Sequence, residues 1–324
     1  MLGTATVATG LLTGPSAADP RPSIDEVEKE VEKLERAAEK AAEASNEKRD
    51  EVRDLRGNLK KLDSDLDNQQ ARVDELQESI GAYAAAEYRT GGTDPTVQLL
   101  MSENPDEFLD QMNSSRALQG QQGDALRNLQ AEQKELDERR SAQDAQLARL
   151  KEAKKDADSR LQEAEAKWQK AEALLERLTA EEQERLREER ASRGGDRDGT
   201  PPPPPPDGSG RGAVALQFAQ AQIGEPYVFG ASGPDSWDCS GLTMAAWGEA
   251  GVSLSHSSRS QAAEGTPVSR SALQPGDLII YYSDMHHVGI YAGGGQVVHA
   301  PRPGKSVEYI GMDVMPIAAM VRPG

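Results

Sequence analysis

One cysteine, three phenylalanines and three tryptophans are all that these 324 residues contain. A lone cysteine excludes any intramolecular disulfide, leaving a free thiol, a metal ligand or an intermolecular link. Aromatics are scarcest early in the chain, where residues 20–210 supply only Tyr83, Tyr88, Phe108 and Trp168. That supply cannot fill a thick core, although it can fill a seam between helices. Basic residues are also short, 37 Lys+Arg against 55 Asp+Glu for a net charge of −18, which argues against a nucleic-acid partner. The deficit lies mostly upstream, because residues 213–324 hold five basic and nine acidic groups. Long hydrophobic runs are missing as well. Leu2 to Leu12 is too short to cross a bilayer, so no transmembrane segment is expected in the mature chain. Pro15-Ser16-Ala17-Ala18 offers small residues before a cleavage after Ala18, but no positive charge precedes the run. Residues 1–22 are therefore expected to be a truncated signal peptide or leader, and the protein to be secreted.

What is present begins with a heptad repeat. From Ile24 the seam steps by three and four through Val27, Val31, Leu34, Ala38, Ala41, Ser45, Lys48, Val52, Leu55, Leu59, Leu62, Leu66, Gln69, Val73, Leu76, Ile80 and Tyr83. Such a pattern specifies a left-handed coiled coil, a rod of roughly 90 Å. Gly91-Gly92 ends it. A second heptad run, from Leu126 to Leu178, is more polar, with Gln133, Arg140, Gln143 and Lys154 in register. Two arms of similar length predict an antiparallel hairpin over residues 23–193, the alternative being a parallel dimer. Between them, residues 94–112 carry two apolar patches, each after an Asp-Pro or Asn-Pro step able to cap a short helix. That tip reads either as a capped turn or as a docking surface for a regulator.

Residues 194–212 include six consecutive prolines between Gly-rich flanks, a stiff linker open to proteolysis. From 213 to 324 the pattern is α+β. Helices are expected at 213–223 and 239–250. An antiparallel meander of short strands should follow, at 277–283, 286–292, 296–300, 306–310 and 317–322.

The chemistry gathers in this last part. Cys239 stands at a predicted helix start, where backbone N–H groups and the helix dipole should lower the thiol pKa. A small buried hydrophobe is the bland alternative. All four histidines, 256, 286, 287 and 299, also lie here. If the 286–300 hairpin turns about Gly293, His287 pairs with His299 across the ladder, with His286 on the opposite face. One imidazole could then orient the other toward a thiol. Cys239, His287 and His299 are also the donors a zinc ion would take, but there is no second cysteine and no HxxxH or HExxH spacing, and no cofactor is expected.

The segments GEPYVFGASGPDSWDCSGLT (224–243), QPGDLIIYYS (274–283), HVGIY (287–291) and VHAPRPG (298–304) resemble the NlpC/P60 family of cysteine peptidases. The resemblance implies a papain-like domain with the cysteine helix packed on an antiparallel sheet. It further implies hydrolysis of peptidoglycan stem peptides, typically between D-γ-glutamyl and a diamino acid. On this basis Cys239 is the nucleophile, His287 the general base and His299 its orienting partner. Tyr227, Asp238 and Ser240 become substrate-pocket residues, with Asp238 meeting a free amine of the peptide. Ordinary roles stand beside these: Asp238 as an N-cap, Ser240 in a first turn, Tyr227 in the core. Phe229, Ala231 and Trp237 depart from the family's usual residues and should reshape the pocket wall. The N-terminal arms are similar to coiled-coil regions on wall hydrolases of Gram-positive bacteria, where they restrain the peptidase or receive a membrane-bound signal. An acidic arm on a short linker could fold back over the groove. An acyl- or amidotransferase on the same scaffold and a non-catalytic wall-binding adaptor remain alternatives.

Overall fold

The structure, a computed structural model, describes residues 23–90, 105–193 and 210–324. The expected leader, the linker up to residue 209 and the first half of the tip lie outside the described residues.

Helix α1 (Ile24–Thr90) starts on a reciprocal cap. Glu26 N–H donates to Ser23 Oγ at 3.3 Å, and Ser23 N–H returns a bond to Glu26 Oε2 at 2.9 Å. Helix α2 runs from Pro105 to Leu175 without interruption. The short helix that Asn104 is expected to cap within the 94–112 tip is thus the first stretch of α2, with proline at a position where its missing N–H costs nothing. The two helices lie antiparallel. Ser45 Oγ donates to Ala157 O at 2.8 Å, and further along Gln69 Nε2 donates to Glu132 O at 3.2 Å. Two of the polar seam positions are thereby satisfied by carbonyls of the facing helix. A third helix, α3 (Ala180–Arg193), was not expected. It begins on a second reciprocal cap between Thr179 and Glu182, and buries Leu186 against Val27, Val31, Ala171 and Leu178.

The C-terminal part begins with α4 (Arg211–Ala221), followed by α5 (Cys239–Glu249) and α6 (Ser258–Glu264). Six strands follow: β1 (Thr266–Pro267), β2 (Leu278–Tyr281), β3 (His287–Gly293), β4 (Gln296–His299), β5 (Glu308–Gly311) and β6 (Ile317–Arg322). They form one antiparallel sheet in the order β1-β6-β2-β3-β4-β5. The meander therefore covers β2 to β5 only, because β6 returns to the other side of β2. Every residue of β2 is buried, since the sheet is covered on both faces. Leu278, Ile280, Val288, Ile290 and Val298 pack with Leu216, Leu242 and Trp247 of α4 and α5. Ile279, Tyr281, Val297 and Met312 form a second cluster with Tyr291 and Ile317. Asp277, just before β2, ties the C-terminal strand in place. Its oxygens accept from Arg322 Nε and Nη2 at 2.7 and 2.8 Å.

Candidate active site

Asp238 terminates an extended stretch and caps α5, its Oδ1 accepting from Gly241 N–H at 2.6 Å. This puts Cys239 at the first helical position, as the sequence implies, with only 3% of its surface exposed. It packs with Val288, one residue beyond His287 at the start of β3, whose backbone N–H favours the ionised thiol. The helix-start thiol and the first imidazole are thus positioned by two elements packed directly on each other.

His287 and His299 do meet, with His287 Nε2 and His299 Nδ1 2.9 Å apart and the rings edge to face. The register that joins them differs from expectation. Ile290 pairs with Val298 and Tyr291 with Val297, a shift of two residues, so His299 faces Gly289 and reaches His287 diagonally. A shift of two keeps every side chain on its own face, which is why the pairing survives. Gly289 makes the diagonal possible: a Cβ there would lie 3.1 Å from His299 Cβ and 2.9 Å from Val298 O. With Nε2 of His287 engaged by His299, its Nδ1 is the nitrogen left for other partners. His286 stacks on Tyr282 with centroids 4.3 Å apart and contacts Asp284 through Nδ1.

The remaining expected residues gather around Cys239. Tyr227 is buried and packs edge to face on Phe229. Ser240 is fully buried in the first turn of α5. Asp238 serves as N-cap and also turns its second oxygen toward the groove. Trp237, one of the departures from the family pattern, is buried and donates through Nε1 to Glu225 Oε2 at 2.5 Å. Phe229, another departure, packs against Trp168, Ala41, Ala42 and Ala164 of the helical hairpin.

That contact belongs to a larger one. The hairpin lies in the groove, and α1 sends a stripe of polar side chains into it at 35, 39, 43, 46 and 50. Glu43 is the one that reaches the thiol. Its Oε1 is 2.6 Å from Ser240 Oγ and 3.6 Å from Cys239 Sγ, and its Oε2 accepts from Ser258 N–H at 2.7 Å. Ser258 Oγ lies 2.8 Å from the same Oε2 and 2.5 Å from Met285 O. A hydroxyl has one hydrogen; given to Met285 O, it leaves Ser258 Oγ to accept from a protonated Glu43. Asn46 Nδ2 donates to Asp238 Oδ2 at 2.8 Å, and Arg49 Nη1 to Gly230 O at 2.9 Å. Asp50 Oδ2 accepts from His256 N–H at 2.7 Å. Glu35 pairs with Arg302, and Lys40 Nζ with Asp284 at 2.8 Å. Glu39 approaches His286 Nε2 at 3.5 Å.

The electrostatics of this arrangement differ from the low thiol pKa expected of a helix-start cysteine. Burial, followed by the charges of Glu43 and Asp238, pushes the Cys239 thiol well above its ordinary value. Burial raises Glu43 to about 7, with the charge of Asp238 adding to it, and raises Glu39 to about 8. Burial lowers His299 to about 4 and, with the neighbouring histidines, holds His287 well below its usual range. With the hairpin seated, the thiol and both imidazoles are neutral at pH 7.

Among the described residues no group of His, Cys, Asp and Glu is arranged to hold a metal ion, and no helix is long and apolar enough to cross a membrane.

A cysteine opening one helix, packed against an antiparallel sheet that carries a pair of touching histidines, defines a papain-like α+β domain. Residues 224–318 match the NlpC/P60 family model. A probable endopeptidase of Corynebacterium glutamicum, Cgl2188, is 44% identical over 111 residues, 34% of this chain and 53% of that protein. The probable endopeptidase Rv2190c of Mycobacterium tuberculosis is 42% identical over 119 residues, 37% of this chain and 31% of its own. The chain thus spans about half the length of the first relative and under a third of the second. The crystal structure of the NlpC/p60 domain of the peptidoglycan hydrolase SagA is 35% identical; the alignment covers 34% of this chain and 97% of that one, with a TM-score of 0.33. Residues 224–318 are thus an NlpC/P60 domain.

Ser258 and His256 were not singled out from the sequence as site residues, nor was the polar stripe on α1. A serine and a histidine in the stretch SLSHSSRSQ carry no spacing signal of their own. The stripe did have one: Glu35, Glu39, Glu43, Asn46 and Asp50 recur at intervals of three and four, beside the apolar seam.

Proposed function

We propose that the C-terminal part is a cysteine peptidase of the bacterial wall that hydrolyses peptidoglycan stem peptides, and that the hairpin restrains it by filling the substrate groove. The observation that carries the first half is Cys239 at the start of α5, packed on the sheet whose strands β3 and β4 carry the touching His287–His299 pair. The kinship with probable endopeptidases supports the same reading.

In the mechanism, His287 takes the Cys239 proton and the thiolate attacks the scissile carbonyl carbon. Charge on the carbonyl oxygen is stabilised by the backbone N–H of Cys239, where the helix dipole adds to it. The intermediate collapses as protonated His287 gives its proton to the leaving amine, and a thioester remains on Sγ. Water, deprotonated by His287, then attacks the thioester, releasing the free acid and restoring the thiol. His299 accepts or donates along the 2.9 Å contact and fixes the tautomer of His287. Tyr227, Asp238 and Ser240 line the acyl side of the groove. An amine-bearing peptide end would meet Asp238, which favours cleavage after a γ-linked glutamyl residue and before a diamino acid. Secretion to the wall follows from that substrate.

The restraint is supported by the seat of α1. Glu43 takes the space over the thiol, and Asn46 takes the oxygen of Asp238 that faces the groove. No stem peptide can enter while the hairpin stays. The test is product identification by mass spectrometry from defined muropeptides with wild type and Cys239→Ala side by side. New amine and acid ends at one peptide bond are expected from wild type only. Products from the alanine variant, or products formed only when an amine acceptor is added, would overturn the peptidase reading.

A further inference from the structure

His256 has no part in the thiol chemistry, yet it is buried against the site. The residue is 7% exposed, and its Nε2 lies 2.9 Å from Asp238 Oδ1. Gly241 N–H donates to the same oxygen at 2.6 Å. The other oxygen, Oδ2, accepts from Gly230 N–H at 2.9 Å and from Asn46 of the hairpin at 2.8 Å. The two oxygens of one carboxylate are therefore divided, Oδ1 engaged by His256 and Gly241 and Oδ2 by Gly230 N–H and, from the groove side, the hairpin.

Packing enforces the division. A Cβ on residue 241 would lie 2.8 Å from Asp238 Oδ1 and 2.9 Å from His256 Nε2, so only glycine lets the pair close over the helix start. Charge reinforces it. Burial opposes an imidazolium at 256, but the charge and hydrogen bond of Asp238 outweigh it and the pKa of His256 is raised. Burial likewise opposes ionised Asp238, and His256, foremost among the groups that favour the carboxylate, joins Asn46 and Gly241 N–H to leave that pKa lowered. Glu43 and Asp50 of α1 also face His256, and Arg53 pairs with Asp50 at 2.8 Å. All three belong to the hairpin. Once the groove is empty, Asp238 remains the acid in hydrogen-bonding contact with His256.

We propose that His256 is a positioning residue for substrate recognition: as an imidazolium it engages Asp238 Oδ1, so that Oδ2 stands ionised and aimed at a free amino group of the peptide. The inference rests on the reading of Asp238 as the amine receptor. A buried carboxylate without a cation beside it would protonate or rotate, and its grip on an amine would weaken. The side chain supplies the effect, whereas the bond from His256 to Asp50 uses backbone N–H and is left intact by substitution.

The experiment measures kcat and KM of the full chain on a stem peptide with a free N-terminal amine and on its N-acetylated form. The ratio of the two kcat/KM values cancels changes in hairpin release, which affect both peptides alike. For His256→Gln, nearly isosteric but uncharged, the preference for the free amine is expected to fall about tenfold, carried by KM with kcat within about twofold. His256→Arg restores a cation with N–H donors and should recover most of the preference. An unchanged preference in His256→Gln, or an equal loss on both peptides without rescue by arginine, would overturn the role of His256. A wild type that treats both peptides alike would instead overturn Asp238 as amine receptor, and the inference with it. Thermal unfolding of each variant confirms that folded protein is compared.

Discussion

Replacing Glu43 with alanine is expected to unseat the hairpin from the groove. In the closed arrangement its carboxyl takes part in three contacts, with Ser240 Oγ, Ser258 N–H and Ser258 Oγ, at 2.6, 2.7 and 2.8 Å. Each is worth about 1 kcal/mol net, so their loss costs the closed state about 3 kcal/mol. Relief from burying the carboxyl returns about 1 kcal/mol. The balance, about 2 kcal/mol, raises the ratio of open to closed forms about 30-fold. Two assays read this in the full chain. The initial rate on a defined muropeptide should rise by up to that factor, levelling off once the hairpin is mostly released. Alkylation of Cys239, the chain's only thiol and 3% exposed when closed, should accelerate in parallel. Equal rates in both assays for wild type and Glu43→Ala would refute the reasoning, because the hairpin contact that reaches the thiol would then hold nothing.

The same contact should respond to pH. Glu43 and Glu39 have pKa values raised by burial to about 7 and about 8 when closed, against the ordinary 4.5 when α1 is in water. Below pH about 4.5 both states hold these protons and nothing changes; as pH rises toward 8 the closed state loses stability relative to the open one. Thiol alkylation, corrected for the intrinsic pH dependence with Glu39→Gln/Glu43→Gln, should therefore show opening that grows from pH 5 to 8, and the double variant should lack it. Gly289→Ala would press a methyl into buried Val297 Cγ1 and bring it to 3.1 Å from His299 Cβ, forcing β3 and β4 apart; kcat should fall about tenfold or more as the imidazoles part, together with a lowered melting temperature. Asp277→Ala strands Arg322 and the N–H of Gln274, and should lower stability by about 2–3 kcal/mol in urea unfolding without touching the groove.

Much of the site could be read from the sequence because its signals are local or periodic. Cys239 follows Asp238, an N-cap, and helix starts are written in such pairs. The imidazole pair was reachable because strands alternate with period two; the register was wrong by two residues and the faces still came out right. The long helices were legible from their seam, including Ser45 and Gln69, whose polarity is answered by carbonyls across the hairpin. What escaped was tertiary. The heptad seam of α1 describes how it meets α2, and says nothing of the second stripe that meets the C-terminal part. The neutral thiol escaped for the same reason, since burial in the folded groove comes first among its causes and the next, Glu43, lies on α1, some 200 residues away in sequence. Helix α3 was within reach, as Thr179 and Glu182 form a capping pair that breaks the heptad run. Helix α6 has only seven residues and a serine cap, too short for a periodic signal.

The central claim is that the thiol of Cys239 carries an acyl group during turnover. Rapid acid quenching of the full chain mixed with a defined muropeptide, followed by mass analysis of the peptide bearing residue 239, tests it directly. The account predicts a transient mass increase equal to the acyl half of the substrate, confined to that peptide and absent in His287→Ala. Steady product release with no adduct at 239, by an enzyme whose Cys239→Ala form remains active, would contradict it.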